Sequence, residues 1–167
     1  MKFKDQVVLI TGATSGIGEA CAEIFGKEGA KIAITGRNPE KLKNTEQKLK
    51  ESGIQVYSIL ADAAKEEDNR HMAEETIKHF GGIDILINNA GISMRALFED
   101  LDMDVFRKVM DTNFYGTVYA TKYCLPSILK SKGSIIGISS INGYRGTPAR
   151  TAYTASKYAM NGFFESL

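Results

Sequence analysis

The chain has 167 residues, of which 43% are hydrophobic and 25% are charged, and its formal net charge is +1. A single domain of this size buries roughly 70% of its unfolded surface and therefore holds a real core. The composition is that of an ordinary globular protein, and the small net charge gives no field that would draw nucleic acid or an anionic membrane, so we expect small molecules or further copies of the chain as partners.

The first apolar run and the spacing of the cysteines and histidines give no sign of a membrane protein, a Cys-x-x-Cys protein or a metalloprotein. Residues 7–10 form a run too short for a signal peptide or a membrane span, so a cytoplasmic location is expected. Cys21 and Cys124 lie in helical patterns without Cys-x-x-Cys spacing, which indicates free structural thiols. His71 and His79 lack a third ligand at a suitable spacing, so no metal site is predicted.

Strand-like and helix-like segments alternate along the chain. The predicted strands are 7–10, 31–35, 55–60, 83–87 and 134–138. The predicted helices are 16–28, 39–52, 66–80, 102–130 and 151–167, and Pro126 should bend or interrupt the fourth. This alternation predicts an α/β fold in which a doubly wound parallel sheet carries helices on both faces of a single domain, residues 1–167.

A glycine-rich turn, Thr11-Gly12-Ala13-Thr14-Ser15-Gly16-Ile17-Gly18, joins the first strand to the first helix. Such a turn directs backbone N–H groups and the positive end of the helix dipole toward a pyrophosphate, and glycine is needed where a side chain would collide with the phosphates. A tight loop without a ligand is the alternative, but the position after the first strand favours a dinucleotide. The predicted cofactor contacts here are Gly12, Thr14, Ser15, Gly16, Ile17 and Gly18.

A second group of residues indicates proton transfer. Tyr153 and Lys157 are four residues apart on a predicted helix, so they share one face and the lysine charge can favour the tyrosinate. Ser140 lies at the end of a predicted strand beside Ser139, and alternation turns only one of the two toward a cleft. Asn113 lies within a predicted helix, where a purely structural role is the alternative.

Together these motifs resemble the short-chain dehydrogenase/reductase family. The glycine turn, Asn88-Asn89-Ala90-Gly91, Asn113, Ser140 and Tyr153-x-x-x-Lys157 occur in the family's order, with 27 residues from Asn113 to Ser140 and 13 from Ser140 to Tyr153. The resemblance implies a Rossmann fold that binds a nicotinamide dinucleotide. It also selects Ser140 over Ser139 as the catalytic serine.

The resemblance further implies a role for each site residue. Tyr153 would be the proton donor, Lys157 would also bind the nicotinamide ribose, Ser140 would donate to the carbonyl oxygen, and Asn113 would hold a water that connects Lys157 to solvent. Asn89 and Ala90 would contact the cofactor ribose, whereas Asn88 would tie strands together. Asp62 would accept from the adenine amino group, with a simple turn or helix cap as the alternative.

The end of the second strand indicates the cofactor. A carboxylate there would bind the ribose 2′-hydroxyl of NAD and repel a 2′-phosphate. This chain has Gly36 at that position, followed by Arg37, whose planar guanidinium suits a phosphate. We therefore expect NADP(H) in preference to NAD(H), with a solvated surface arginine as the alternative.

Residues 102–130 and 151–167 resemble the helices that pair between subunits in the family, which implies a homodimer or homotetramer. Family members also continue past the Tyr/Lys helix with further strands and a substrate-covering segment, so the chain is expected to be truncated after Leu167. The segments from Asn88 to Met94 and from Ile138 to Lys157 look most like branches acting on bulky apolar carbonyls, such as hydroxysteroids and long-chain ketones. The alternatives are a 3-oxoacyl-carrier-protein reductase and a non-catalytic dinucleotide-binding or assembly module.

Overall fold

The computed structural model describes all residues from 1 to 167, and its centre is a five-stranded parallel sheet. The strands are β1 (Val7–Ile10), β2 (Lys31–Gly36), β3 (Val56–Leu60), β4 (Ile85–Asn88) and β5 (Ser134–Gly137). They lie in the order β3-β2-β1-β4-β5, and each neighbouring pair is parallel. The order reverses between β1 and β4, which opens a crevice at the carboxyl ends of these strands.

Six α-helices connect and flank the strands. They are α1 (Gly16–Lys27), α2 (Pro39–Glu51), α3 (Glu66–Phe80), α4 (Met103–Met110), α5 (Gly116–Ser131) and α6 (Thr151–Ser166). The Asn38 side chain caps α2 by accepting the N–H of Lys41, and Gly81 ends α3 with a φ of 90°. None of the helices combines the length and the apolar character needed to span a bilayer.

Side-chain alternation along the strands builds a core on each face of the sheet. Val8 and Ile10 pack with α1 and α2 in one apolar cluster, whereas Leu9 packs with α3 and α5 in another. Cys124 belongs to the second cluster, and burial raises the pKa of its thiol to about 12. The predicted doubly wound parallel sheet is therefore confirmed.

The long helix predicted over 102–130 is divided, but not at the proline. A π-helical turn, Asp111–Tyr115, separates α4 from α5, while Pro126 lies inside α5, which continues to Ser131. Asn113 in this turn exchanges hydrogen bonds with both backbone groups of Ile92, at 2.8 and 2.9 Å. Contacts distant in sequence thus hold the irregular turn, and such turns occur often at functional sites.

Candidate active site

A cavity of about 460 Å³ opens at the carboxyl ends of the strands. It runs from the glycine turn past the ends of β2 and β3 to the loops after β4 and β5 and the first two turns of α6. Ten of the predicted site residues line it: Gly12, Thr14, Ser15, Ile17, Arg37, Asp62, Asn89, Ala90, Tyr153 and Lys157. Gly16, Gly18, Asn113 and Ser140 are not among the lining residues.

The glycine turn is packed too closely to accept side chains. Gly12 has a φ of 64°, and a Cβ there would lie 2.8 Å from Cα of Ala90. A Cβ on Gly18 would lie 2.5 Å from Nδ2 of Asn89. Gly16, with a φ of 58°, has nothing within 4 Å of its Cβ position, so the turn is open on that side.

The N-terminus of α1 supplies free donors to this open side. Ser15 is the N-cap residue, but its side chain makes no capping hydrogen bond. The first N–H groups of a helix have no partners within the helix, and the positive end of its dipole favours an anion. The uncapped start of α1 therefore leaves N–H groups available for a pyrophosphate.

Asn89 holds the glycine turn from β4. Its Nδ2 donates to the carbonyl oxygens of Thr11 and Gly12, each at 2.9 Å. In return, Oγ1 of Thr11 accepts the N–H groups of Asn89 and Ala90, each at 3.0 Å. The side chain of Asn89 is thus committed to positioning the turn.

Asn88 is expected to tie strands together, and in the structure it bonds to a helix instead. Its Nδ2 lies 3.3 Å from Oγ1 of Thr121 on α5, while its Oδ1 is buried without a partner. Asn88 therefore ties β4 to α5 and stays away from the cavity.

Two cavity-lining residues, Arg37 and Asp62, follow strands β2 and β3. Arg37 is exposed, and no carboxylate in the structure pairs with it. A Cβ on Gly36 would lie 2.5 Å from Cγ2 of Thr14, so a larger residue there requires a shift of Thr14. Asp62 closes a turn, because its Oδ1 accepts the N–H of Ala64 at 3.1 Å, and it lines the cavity as well.

Tyr153 and Lys157 lie together in the cavity lining. Nζ of Lys157 is 5.9 Å from the centroid of the Tyr153 ring and donates to the carbonyl oxygen of Ile138 at 2.7 Å. Lys157 is only 4% exposed, and this burial lowers its pKa to about 8. The amine is therefore mostly protonated at pH 7 and places a poorly solvated positive charge beside the phenol.

The two serines after β5 differ in whether their hydroxyl hydrogen is already used in a hydrogen bond. Ser139 lines the cavity, but its Oγ donates to Oδ1 of Asn161 at 2.7 Å, since that amide oxygen only accepts. Oγ of Ser140 accepts the N–H of Asn142 at 3.1 Å, so its own hydrogen remains free to donate. The hydrogen-bond pattern thus leaves Ser140 as the serine with a free donor, although Ser140 is not among the residues that line the cavity.

Asn113 is fully buried and contacts α6 between Tyr153 and Lys157, through Ser156. Its Nδ2 donates to Oγ of Ser156 on α6 at 3.0 Å, and its carbonyl oxygen accepts from Thr117 at 2.9 Å. Its side chain therefore joins the π-helical turn to α6 and to the loop after β4, rather than entering the cavity.

Thr112 is a lining residue that the sequence analysis did not find. It is 4% exposed, and its Oγ1 is buried without a hydrogen-bond partner. Its position depends on the π-helical turn, which a helical periodicity does not reveal; the only sequence sign was its place immediately before Asn113.

The donors and spaces of the cavity fit a nicotinamide dinucleotide. The uncapped N-terminus of α1 and the crowded glycines are features that a phosphate-bearing ligand would use. Residues 6–167 match the sequence model of the family described as short chain dehydrogenase. That match covers nearly the entire chain.

Individual relatives agree with this match. The chain is 42% identical to "Dehydrogenase/reductase SDR family member 7B" of Xenopus tropicalis, over 99% of this chain and 56% of that protein. It is 40% identical to "11-beta-hydroxysteroid dehydrogenase 1A" of Arabidopsis thaliana, over 97% of this chain and 47% of that protein. The chain thus spans about half the length of these curated relatives.

Solved structures show the same architecture. An NAD⁺-bound xylitol dehydrogenase superposes with a TM-score of 0.95 at 32% identity, over 99% of this chain and 65% of that one. A short-chain dehydrogenase/reductase from Burkholderia phymatum in complex with NAD gives a TM-score of 0.96 at 26% identity, over 99% and 60% of the two chains. By sequence and by fold, this chain belongs to the short-chain dehydrogenase family.

Proposed function

We propose that the protein is an NADP(H)-dependent oxidoreductase that reduces a ketone or aldehyde to an alcohol in a reversible reaction. The observation that carries the proposal is the place of Tyr153, which lines the cavity leading from the glycine turn and lies beside the buried ammonium of Lys157. A bound nicotinamide would supply the hydride, and the chain would supply the proton and the charge stabilisation. A module that only binds a dinucleotide needs no such proton donor.

Each residue of the group has a distinct task. Tyr153 donates a proton to the carbonyl oxygen, and the charge of Lys157 stabilises the tyrosinate that remains. The free hydroxyl hydrogen of Ser140 is directed to the same oxygen, where negative charge develops. Asn113 supports a water that links Lys157 to solvent. The assignment of Ser140 rests on its hydrogen-bond pattern and on the family motif. That of Asn113 rests on the family motif alone, because its side chain is bonded to Ile92 and Ser156.

The preference for NADP(H) rests on this chain's own residues. Arg37 is an exposed cation in the cavity lining without a carboxylate partner, and Gly36 leaves no acid to bind a 2′-hydroxyl or repel a 2′-phosphate. The two similar solved structures described above hold NAD. Cofactor preference is therefore a property to be measured on this protein directly.

We propose a bulky, largely apolar carbonyl compound as the substrate. The Tyr153 ring packs against an apolar cluster that includes Met94 and Val109, with Ile92 and Phe106 beside it. One relative bears the name of a hydroxysteroid dehydrogenase, which favours the same substrate class. A 3-oxoacyl-carrier-protein reductase is the second candidate, because its substrate also combines a ketone with an apolar chain.

We also propose that the protein forms a homodimer or homotetramer in the cytoplasm. Tyr115 at the start of α5 is 45% exposed and Tyr158 on α6 is 46% exposed, so the helices expected to pair between subunits present aromatic surface. Cys21 and Cys124 are both free thiols, as is usual for proteins of a reducing compartment.

Turnover of a carbonyl panel with each reduced cofactor tests the proposal. Purified full chain should oxidise NADPH faster than NADH in the presence of apolar ketones, with Tyr153→Phe as the control. Turnover only with a 3-oxoacyl thioester on a carrier protein would favour the second candidate. Cofactor binding without turnover of any carbonyl would favour a binding module.

A further inference from the structure

Arg150 is a second cation beside the proposed proton donor. It is the last residue before α6, and its Nη1 donates to Oγ of Ser93 at 2.6 Å. Its guanidinium carbon lies 5.9 Å from the centroid of the Tyr153 ring. Nζ of Lys157, which follows Tyr153 along α6, lies at the same distance from that centroid. Ser93 and Tyr153 both line the cavity, so Arg150, which is not itself a lining residue, contacts two residues that are.

This guanidinium has no counter-ion in the chain. Arg150 is half-buried, its one hydrogen bond to a side chain goes to Ser93, and the seven ion pairs of the structure all join other residues. Segments 89–98 and 138–150, which contain Ser93 and Arg150, have three arginines and no Asp or Glu. An arginine has five N–H donors, so most of those on Arg150 have no side-chain partner within the protein.

The backbone around Arg150 is held in a costly arrangement. Ala149 has a φ of 62°, in the left-handed region that alanine rarely adopts, and its carbonyl oxygen accepts the N–H of Ala96 at 3.0 Å. Arg150 occupies the N-cap of α6 without a capping hydrogen bond, where Ser, Thr, Asp or Asn is preferred and a cation is unfavourable. Local stability alone would not select this residue here.

We propose that Arg150 determines substrate specificity by binding an anionic group of the substrate. The substrate class is then an oxo acid, in which a carboxylate lies one or two carbons from the reacting carbonyl and the remainder is apolar. This inference rests on the proposed carbonyl reduction and names its substrate more narrowly. Reduction converts the oxo acid to the hydroxy acid, and the carboxylate is unchanged.

The geometry explains why the carboxylate and the carbonyl belong to one molecule. Tyr153 must reach the carbonyl oxygen, and Arg150 lies against the ring of that same tyrosine, so the two groups they bind are close neighbours. A planar guanidinium binds a carboxylate through two parallel hydrogen bonds, which also fixes the orientation of the carbonyl toward the cofactor. The apolar cluster behind Tyr153 is left for the rest of the substrate.

The test compares medium-chain 2-oxo and 3-oxo acids with their methyl esters, which have nearly the same shape without the charge. In the full chain with NADPH, kcat/KM should favour each preferred acid over its ester, and Arg150→Met should lower the value for the acid by about 10- to 100-fold with little effect on the ester. Arg145→Met is the matched control, since Arg145 is exposed on the same segment and has no ion pair, and it should change neither value.

Binding of the product hydroxy acid gives a readout independent of turnover. With NADPH bound, calorimetry should show that wild-type protein binds the hydroxy acid more tightly than its methyl ester and that Arg150→Met abolishes the difference. Equal binding of acid and ester by wild type would overturn the assignment, as would an equal loss for both in Arg150→Met, which marks a role in positioning Tyr153. Absence of turnover with every carbonyl and either cofactor would instead refute the proposed function, and the calorimetry would still decide the role of Arg150.

Discussion

Replacing Lys157 with methionine should stabilise the cofactor-free protein at pH 7. Burial lowers the pKa of Lys157 from 10.5 to about 8, and each pKa unit corresponds to about 1.4 kcal/mol, so the buried charge costs roughly 3 kcal/mol. Methionine keeps the length and flexibility of the chain but forfeits the hydrogen bond to Ile138, which is worth about 1.5 to 3 kcal/mol for a charged donor. The free energy of unfolding of Lys157→Met should therefore exceed that of the wild type by roughly 1 kcal/mol, while the variant loses activity.

The pH dependence gives the sharper form of this prediction. Below pH 8 the amine is charged in both the folded and unfolded states, so the penalty is fully present. Between pH 8 and 10.5 the unfolded chain binds more protons than the folded one, so wild-type stability relative to Lys157→Met rises with pH. Urea unfolding of both proteins across this range measures the difference, with the exposed Lys108→Met as control. The reasoning would be refuted if the difference in unfolding free energy between the two proteins did not change with pH, or if Lys157→Met were less stable than wild type at pH 7.

Three further predictions follow from the cofactor site and the surface helices. Arg37→Ala should weaken NADPH binding by about 10- to 100-fold in fluorescence titrations and leave NADH nearly unchanged, whereas equal losses would contradict the assignment to the 2′-phosphate. Gly18→Ala should destabilise the fold by about 1 to 3 kcal/mol in denaturant titrations, because its Cβ would lie 2.5 Å from Nδ2 of Asn89. Gly162→Ala on α6, with open space around its Cβ, should not destabilise the fold. Sedimentation should detect dimers or tetramers at micromolar concentration, and a monomer alone would count against pairing through α5 and α6.

The sheet and the glycine turn were predictable because their causes are local. Short apolar runs such as Val7–Ile10 alternate with amphipathic segments, and Asn38-Pro39 and Gly81 mark helix ends through capping and positive φ. The turn between β1 and α1 requires glycine wherever a Cβ would meet neighbouring atoms, as at Gly12. Sequence patterns record such requirements directly.

The remainder of the site depends on contacts between distant segments. The π-helical turn carries Asn113, which bonds the backbone of Ile92, a partner 21 residues away, and the periodicity of the helix does not indicate this contact. The clamp of Asn89 on the glycine turn spans 77 residues to Gly12. The placement of Arg150 against Ser93 spans 57 residues. Each of these bonds needed the assembled fold before it could be seen.

Turnover and cofactor affinity of Tyr153→Phe test the central claim most directly. The substitution keeps the ring and removes only the hydroxyl, so kcat for carbonyl reduction should fall by about 100- to 10,000-fold while the Kd for NADPH changes little. Lys157→Ala should damage both quantities, since its ammonium is assigned to the cofactor ribose as well as to the tyrosinate. If Tyr153→Phe retains most of the wild-type turnover, Tyr153 is not the proton donor and the proposed chemistry is wrong.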